Sequence, residues 1–541
     1  MTLLVLSPLI ALGLAAAQGS PALWQHLMVY VLPTAARDTL ILLTGVGVLT
    51  TVLGTGTAWL VSAYDFPGRR LLDWALLLPL AVPTYIIAYA YLDIMHPVGP
   101  LQTAVRAVLG FESPRAFRLP DIRSMGGCIV LLGFVLYPYV YLTTRAMFLM
   151  QTANLIDVAR TLGTARRAVF LRVALPLARP ALVVGVSLAL METLNDIGAS
   201  EFLGVRTLTV SIYTTWVTRS DLPGAAQIAL VMLVFVLALV LLERWARRSR
   251  RYVNDAQHPR PLVPARLSPA AGVMALTACL IPIAAGFLIP AAYLVSATIE
   301  RVRFAGVPSR LVTEAVNTLS VSLVAAALTV VCGVAVVYAV RIRRSWVPSV
   351  LARIASLGYA LPGSVLAIGL LPVVAGVDQI IDGVSEGLLG MSPGLVILGS
   401  GAALIYAYLV RFLAVAAGSV EAGFSRVSLS LDAVASTLGA TAGRRLRRIH
   451  LPLSRPALAT AATLVFVDCL KELPATLLLR PIGFETLATH LYGEAIRGTY
   501  EDAAIAALLI VLVGLVPVLI LARLGRQAEI GREDTMRPAS T

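Results

Sequence analysis

The sequence predicts an all-α polytopic membrane protein that crosses the bilayer about twelve times, as two repeated halves of six helices. Of its 541 residues, 58% are hydrophobic and 13% are charged, and the mean hydropathy is +0.85. Such a chain is too apolar for a water-soluble domain. Its apolar runs are roughly 17 to 25 residues long, which suits membrane-spanning helices, and they lack the alternation of barrel strands. A polar loop sequence also occurs twice.

Apolar runs define the predicted spans, six in each half. The first run ends in three alanines and also fits a signal-peptide core, but no basic residue precedes it, which favours a retained span. The runs lie near residues 3–17, 39–63, 72–94, 125–148, 180–204 and 223–243, and then near 269–297, 316–340, 347–375, 394–416, 455–479 and 503–524.

The doubled loop is arginine-rich and lies between apolar runs in each half. Residues 156–182 and 432–458 are identical at 13 of 27 positions when Gly163 is aligned with Gly439. Both copies place a Leu-Pro pair at the same distance after the glycine. Because chance does not produce such a match, we interpret the loops as products of one duplication and expect a partner with twofold symmetry to meet them.

The duplication extends over the whole chain. An offset of 279 residues carries Pro83 onto Pro362, and the offset is 276 at the loops. A fixed order of elements with small insertions is what duplication of a six-helix unit leaves behind. We therefore predict a first half, a basic cytoplasmic linker and a second half at residues 1–243, 244–268 and 269–541.

The net charge of +14 is interpreted as a topology signal. Lys471 is the only lysine among 43 basic residues. If the linker is cytoplasmic and the spans alternate, both loops and both termini are cytoplasmic, and most arginines then lie inside, in accord with the positive-inside bias. A nucleic-acid-binding surface is disfavoured because the arginines are scattered among loops between spans.

The sequence offers no catalytic chemistry of its own. A P-loop requires a Gly-Lys-Ser/Thr ending, but Lys471 lies in a Cys-Leu-Lys-Glu sequence. Cys128, Cys279, Cys332 and Cys469 fall within apolar runs without C-x-x-C spacing, so we expect small core residues and neither a disulfide framework nor a metal site. The chain is therefore not expected to be an enzyme or to hydrolyse ATP by itself.

The doubled loop resembles the EAA loop of bacterial ABC importer permeases. Two such loops in one chain, with the stretches 191–199 and 471–481, are most similar to the fused permeases of ferric iron importers. The second copy departs from the pattern because Ala433 stands where an acidic residue is favoured and Asp432 precedes it. We expect two unequal docking surfaces, the first more complete. The pattern is met by Asp157, Ala159, Gly163, Val173, Leu175 and Pro176, and by Ala435, Gly439, Ile449, Leu451 and Pro452.

The resemblance implies a type I ABC importer permease fold in the bacterial inner membrane. Each loop would form a coupling helix on a cytoplasmic ABC ATPase dimer, whose closure would switch the halves between inward-open and outward-open states. A periplasmic binding protein would deliver ferric iron. The chain itself would bind no cofactor, and the ATPase would use ATP and Mg.

Other interpretations remain open. The same class of permease also carries thiamine, polyamines or oxyanions. An ion-coupled secondary transporter likewise combines repeats with acids in the membrane, although matched docking loops have no evident purpose there. Each loop alone also fits an ordinary amphipathic helix on the membrane surface.

The span after each loop carries matched acids. With the offset of 276, Glu192 aligns with Asp468 and Asp196 aligns with Glu472. Spacing of i,i+4 would place each pair on one helix face, and acids within a membrane face a partner, a cavity or a pathway. We hypothesise that these four acids, with Asn195 and Lys471, line a route for a hard cation that prefers oxygen ligands.

A structural role for the same acids is the alternative. Lys471 and Asn195 would neutralise or hydrogen-bond the carboxylates, which would hold broken helix ends near Gly198 and Pro474.

Overall fold

The computed structural model describes residues 2–150, 166–248, 264–342 and 346–536. Helices dominate this part of the chain, so the all-α prediction is confirmed. Its strands are β1 (Tyr64–Asp65) and β2 (Ala265–Arg266), which pair in parallel over two residues.

The helices of the first half alternate long spans with short connecting segments. They are α1 (Thr2–Ala17), α2 (Pro21–His26), α3 (Leu32–Ala63), α4 (Arg69–Ala75), α5 (Thr84–Ile94), α6 (Pro100–Leu109), α7 (Met125–Met150), α8 (Arg166–Val169), α9 (Leu175–Asn195), α10 (Gly198–Phe202), α11 (Leu208–Tyr213) and α12 (Leu222–Arg248). Short π turns occupy Leu27–Val31, Phe170–Ala174 and Thr214–Thr218, and a 3₁₀ turn occupies Leu78–Ala81.

The second half repeats this order. Its helices are α13 (Pro269–Ile283), α14 (Ile289–Ala305), α15 (Ser309–Ile342), α16 (Trp346–Ala355), α17 (Gly363–Leu389), α18 (Ala402–Ser425), α19 (Leu429–Thr437), α20 (Ala442–Arg445), α21 (Leu451–Leu453), α22 (Arg455–Leu470), α23 (Pro474–Leu479), α24 (Leu487–Arg497) and α25 (Tyr500–Met536). π turns occupy Ala284–Leu288 and Leu446–His450, and a 3₁₀ turn occupies Ser356–Ala360.

Within the described residues, 9 helices are long and apolar enough to cross a membrane, or up to 11 if each of two bent pairs is one span. The helix α1 is shorter, with 16 residues. Several predicted spans are interrupted. The bend between Ala81 and Thr84 is 90°, because Pro83 has an extended ψ of 145° and begins a new helix. Pro362 does the same before α17, with a ψ of 144°.

The described residues form two compact units, and each unit draws on both sequence halves. Unit 1 comprises Met1–Ala35, Leu208–Val234 and Val307–Gly493, and unit 2 comprises Ala36–Thr207, Phe235–Gly306 and Glu494–Thr541. The predicted halves therefore describe the duplication of the sequence, whereas each packed body mixes segments of both.

The same helix contact recurs in both units. In unit 1, α15 packs against α18 and α22, α17 packs against α1, and the short α23 rests on α17. In unit 2, α7 packs against α9, α14 packs against α25, and the short α10 rests on α5. Because α10 and α23 occupy equivalent places in the repeat, each half positions its helix break in the same way.

Candidate functional site

The second copy of the doubled loop begins with the short helix α19 (Leu429–Thr437). Gly439 ends it in the left-handed conformation, with φ +72°. The N–H of Gly439 bonds to the carbonyl of Ser436 (3.0 Å), and the N–H of Ala440 bonds to the carbonyl of Ala435 (2.9 Å). These two bonds form a Schellman ending, which favours glycine because a left-handed residue with a Cβ is strained. Gly439 therefore ends α19 in a left-handed turn that a residue with a Cβ would adopt only with strain.

One face of α19, continued by its C-cap Leu438, is apolar and exposed. The exposed fractions are 44% for Leu431, 56% for Val434 and 79% for Leu438. Their spacing of three and four residues places them on one side of the helix. No residue of α19 is buried. We call Leu431, Val434 and Leu438 the loop stripe, and it is available for contact with another protein.

The opposite side of α19 is fixed by Asp432. Its Oδ2 accepts a hydrogen bond from Arg341 Nε (2.8 Å), and its Oδ1 lies 2.7 Å from His450 Nε2. Arg341, at the end of α15, also donates to the carbonyls of Phe424 (2.6 Å) and Val427 (2.8 Å). We call Asp432, Arg341 and His450 the loop clamp. The acid displaced by one position from the EAA pattern thus ties the loop to a long helix.

The Asp432 carboxyl of the loop clamp is ionised at neutral pH. Burial raises the pKa of Asp432, but hydrogen bonds and positive charges from His450 and Arg341 outweigh burial, so the pKa lies below its usual value. A carboxyl whose pKa is lowered by folding stabilises the folded state above the unfolded value of about 3.9. This contribution is lost as the pH falls through the folded pKa.

Both loop copies end in the same unusual turn. A π turn at Phe170–Ala174 precedes Leu175-Pro176, and a π turn at Leu446–His450 precedes Leu451-Pro452. In each case the N–H of the leucine bonds five residues back, to Phe170 or to Leu446. The prolines cannot donate in the next turn. The predicted positions Val173, Leu175, Pro176, Ile449, Leu451 and Pro452 are all half-buried, whereas Asp157, Ala159 and Gly163 lie outside the described residues.

Asp196 holds the helix break of the first half. The helix α9 ends at Asn195, and the Asp196 side chain is buried. Its Oδ1 accepts from Thr84 Oγ1 (2.6 Å), and its Oδ2 accepts from the N–H (2.8 Å) and Oγ (3.0 Å) of Ser200. Asp196 therefore joins the short α10 to the start of α5.

Glu472 holds the equivalent break in the second half, with different partners. Its Oε1 accepts from the N–H of Ala475 (3.1 Å) and from Arg411 Nη1 (3.3 Å). The offset of 279 residues places Gly363 where the first half has Thr84. A Cβ at Gly363 would lie 2.4 Å from both Arg411 Nη1 and Glu472 Oε1. The glycine therefore leaves room for a buried ion pair, which replaces the threonine hydrogen bond of the first half.

The other two acids are more accessible. Asp468 Oδ1 lies 2.9 Å from Lys471 Nζ, and their side chains are 27% and 33% exposed. Glu192 is half-buried, as is Asn195. The expectation that each acid pair shares one continuous helix face is wrong, because α9 ends before Asp196 and α22 ends before Glu472.

Sequence reasoning missed the residues that complete these breaks, Thr84, Arg411 and Gly363. A signal was present for two of them, since Thr84 follows Pro83 and Gly363 follows Pro362. Arg411 gave no comparable signal beyond being a charged residue within an apolar run.

Comparison with known proteins agrees with this architecture. The family of binding-protein-dependent transport system inner membrane components matches residues 22–252 and again residues 328–528. The Fe(3+)-transport system permease protein FbpB 2 of Haemophilus influenzae is 24% identical over 491 residues, covering 90% of this chain and 88% of that protein.

Shorter relatives match only part of the chain. The molybdenum transport system permease protein ModB of Escherichia coli K12 is 29% identical over 36% of this chain and 84% of its own length. The sulfate transport system permease protein CysT of the same organism is 30% identical over 46% of this chain and 90% of its own length. With the family present twice in one membrane polypeptide of two helical repeats, the chain belongs to the binding-protein-dependent transport system inner membrane components, as a fused two-domain ABC permease.

Proposed function

We propose that the chain is the membrane subunit of an ATP-driven importer of ferric iron. The observation that supports this cargo is that a relative matching both halves carries Fe(3+). The permease of Haemophilus influenzae matches 90% of the chain and 88% of its own length. The molybdenum and sulfate permeases match 84% and 90% of their own lengths but, being shorter, only 36% and 46% of this chain. The proposed location is the bacterial inner membrane, with the doubled loops and both termini in the cytoplasm and a periplasmic binding protein on the other side.

Transport by the reconstituted complex tests the cargo. Proteoliposomes that contain the permease, its ATPase and its binding protein should accumulate radioactive Fe(III) when ATP is supplied, and vanadate should block the uptake. Molybdate, sulfate, thiamine and a polyamine serve as alternative cargoes. ATP-dependent uptake of one of these without iron would refute the iron assignment. Uptake that persists with vanadate and follows an ion gradient would identify a secondary transporter instead.

The doubled loops are proposed to dock on a cytoplasmic ABC ATPase dimer. The loop stripe supplies an exposed apolar surface, and the loop clamp links it to α15. Motion of the ATPase would thereby reach the membrane helices. In this scheme the chain binds no cofactor, and the ATPase uses ATP and Mg.

We expect Leu438→Glu to weaken binding of the ATPase at least about thirtyfold. Leu438 is 79% exposed, so the charge leaves folding unchanged, but it would be buried unpaired in the complex. The loss of an interface anchor costs about 2 kcal/mol or more, or about thirtyfold in affinity. Co-purification and a binding titration with the ATPase measure the loss.

Ile482→Glu is the matched control, because Ile482 is at least as exposed as Leu438 but lies in the α23–α24 connection. This variant should retain the ATPase. Equal retention by both variants would contradict docking through the loop stripe.

For the cargo route, we propose that Glu192 and Asp468 face the moving cation, with Asn195 and Lys471 beside them. Partial exposure of Asp468 and Lys471 supports this assignment. The more buried Asp196 and Glu472 flank the route and hold the helix breaks.

A further inference from the structure

Another pair of equivalent segments lies beyond the helix breaks. Residues 207–213 read TLTVSIY and residues 486–492 read TLATHLY, again with an offset of 279. Both begin with Thr-Leu and end with an aliphatic residue followed by tyrosine. After the leading threonine, both are helical in the structure, as α11 and the start of α24. Tyr213 and Tyr492 are therefore equivalent positions of the two repeats.

These two tyrosines contact each other. Their ring centroids are 5.9 Å apart and their planes are 85° apart, which is an edge-to-face arrangement. Tyr492 is 3% exposed and Tyr213 is half-buried. Equivalent residues of two repeats that touch each other lie where segments of the two repeats meet.

The helix that carries Tyr492 is firmly attached to α15. Thr318 Oγ1 accepts from the N–H of Leu487 (2.9 Å), and Asn317 donates to the carbonyl of Glu485 (3.0 Å). Glu314 and His490 lie 3.1 Å apart in the same contact. This side of the tyrosine pair is thus held by three contacts.

The segment after Tyr213 is built differently. A π turn at Thr214–Thr218 follows the tyrosine directly, and π turns mark functional positions within helices. Ser220 then has φ +53°, and no other non-glycine residue in the described ranges has a positive φ. A left-handed serine is strained, and two hydrogen bonds hold it at this helix end, from the N–H of Ser220 to the carbonyl of Trp216 (2.9 Å) and from the N–H of Asp221 to the carbonyl of Thr215 (3.1 Å). Residues strained in this way cluster at switch regions. Tyr213 therefore lies next to a segment with the backbone features of a switch.

We propose that Tyr213 and Tyr492 form the gate that closes the cargo route through the permease. Transporters built from two repeats bind their cargo at the interface of the repeats, and an aromatic contact where equivalent residues meet forms an apolar constriction that excludes hydrated ions. The gate opens when Tyr213 moves away from the fixed Tyr492, with the backbone change taken up at the π turn and Ser220. This inference rests on the proposed transport function.

Cross-linking tests the gate. Tyr213→Cys and Tyr492→Cys are combined, and the complex with its ATPase and binding protein is treated with a bismaleimide that a reductant cleaves. Three of the four native cysteines are buried and the fourth is half-buried. The two single cysteine variants are the controls that measure any reaction of the reagent with these native cysteines. We expect at least tenfold slower Fe(III) uptake after cross-linking, and recovery after cleavage. A matched control is Phe111→Cys with Phe117→Cys, whose rings stack at 5.3 Å in unit 2, whereas both tyrosines lie in unit 1. This cross-link should leave uptake unchanged.

Two results would overturn the gate. One is normal uptake by a double variant whose cross-link is verified by mass spectrometry. The other is modification of both thiols without any link between them. Failure of the untreated wild-type complex to take up iron would instead refute the proposed cargo, and the same cross-linking is then applied to the cargo that the complex does carry.

Discussion

Arg411→Ala is expected to destabilise the protein by about 3–5 kcal/mol, because it leaves a buried carboxylate without its cation. The side chains of Arg411 and Glu472 are 9% and 5% exposed, and their closest charged atoms are 3.3 Å apart. Glu472 also accepts from the N–H of Ala475, so the loss of Arg411 disturbs the start of α23. Thermal unfolding of the purified protein in detergent should show a clear fall in Tm, with loss of uptake.

Two controls separate lost charge balance from lost packing. Arg411→Leu combined with Glu472→Gln removes both charges and should recover most of the stability, since replacing a whole buried pair is often neutral. Lys471→Ala breaks the more exposed pair with Asp468, which is 27% exposed, and should cost less than about 1 kcal/mol. A wild-type Tm for Arg411→Ala would contradict the role of Arg411 in balancing the buried Glu472.

Long-range repetition made much of the fold predictable. Apolar runs of membrane length and the aligned Gly163 and Gly439 indicated two helical repeats, and the repeated family match agrees with them. The sequence analysis predicted continuous spans where the structure has broken helices, because hydropathy alone does not indicate where a helix breaks. Pro83 and Pro362 carried that information, since the residue before proline avoids the helical conformation and proline itself lacks a donor.

The candidate site was less predictable, because its partners are distant in sequence. Asp432 looked like a defect of the loop pattern, yet it contacts Arg341 and His450 across 91 and 18 residues. Likewise, equivalent acids in the two halves have different partners, Thr84 in one and Arg411 in the other. The repeat predicts where each carboxylate lies in the sequence. The side chain that pairs with the carboxylate comes from another helix, and the hydrophobic pattern around the carboxylate does not reveal which one.

Gly363→Ala should produce a loss of similar size, about 3 kcal/mol, through overpacking beside charged atoms. The new Cβ would lie 2.4 Å from Arg411 Nη1 and from Glu472 Oε1, so at least one member of the ion pair must move. The end of the arginine is flexible, but its displacement leaves Glu472 unpaired. Thermal unfolding and Fe(III) uptake should both decline. Gly376→Ala in the same helix is the matched control, because no atom lies within 4 Å of its Cβ position.

A double-mutant cycle identifies the cause of this loss. If Gly363→Ala acts by displacing Arg411, its cost should fall by 1 kcal/mol or more, on the order of the coupling between contacting residues, in the Arg411→Leu, Glu472→Gln background. An unchanged cost in that background would place the clash on the backbone of Ala475, whose nitrogen lies 3.2 Å from the same Cβ position. The first half has the opposite combination. Thr84 stands at the position equivalent to Gly363, and the groups that contact Asp196 include Thr84 and Ser200 but no arginine. Glycine at 363 is thus expected to be required only while the ion pair of Arg411 and Glu472 is present, so Gly363→Ala should be tolerated better once that pair is removed.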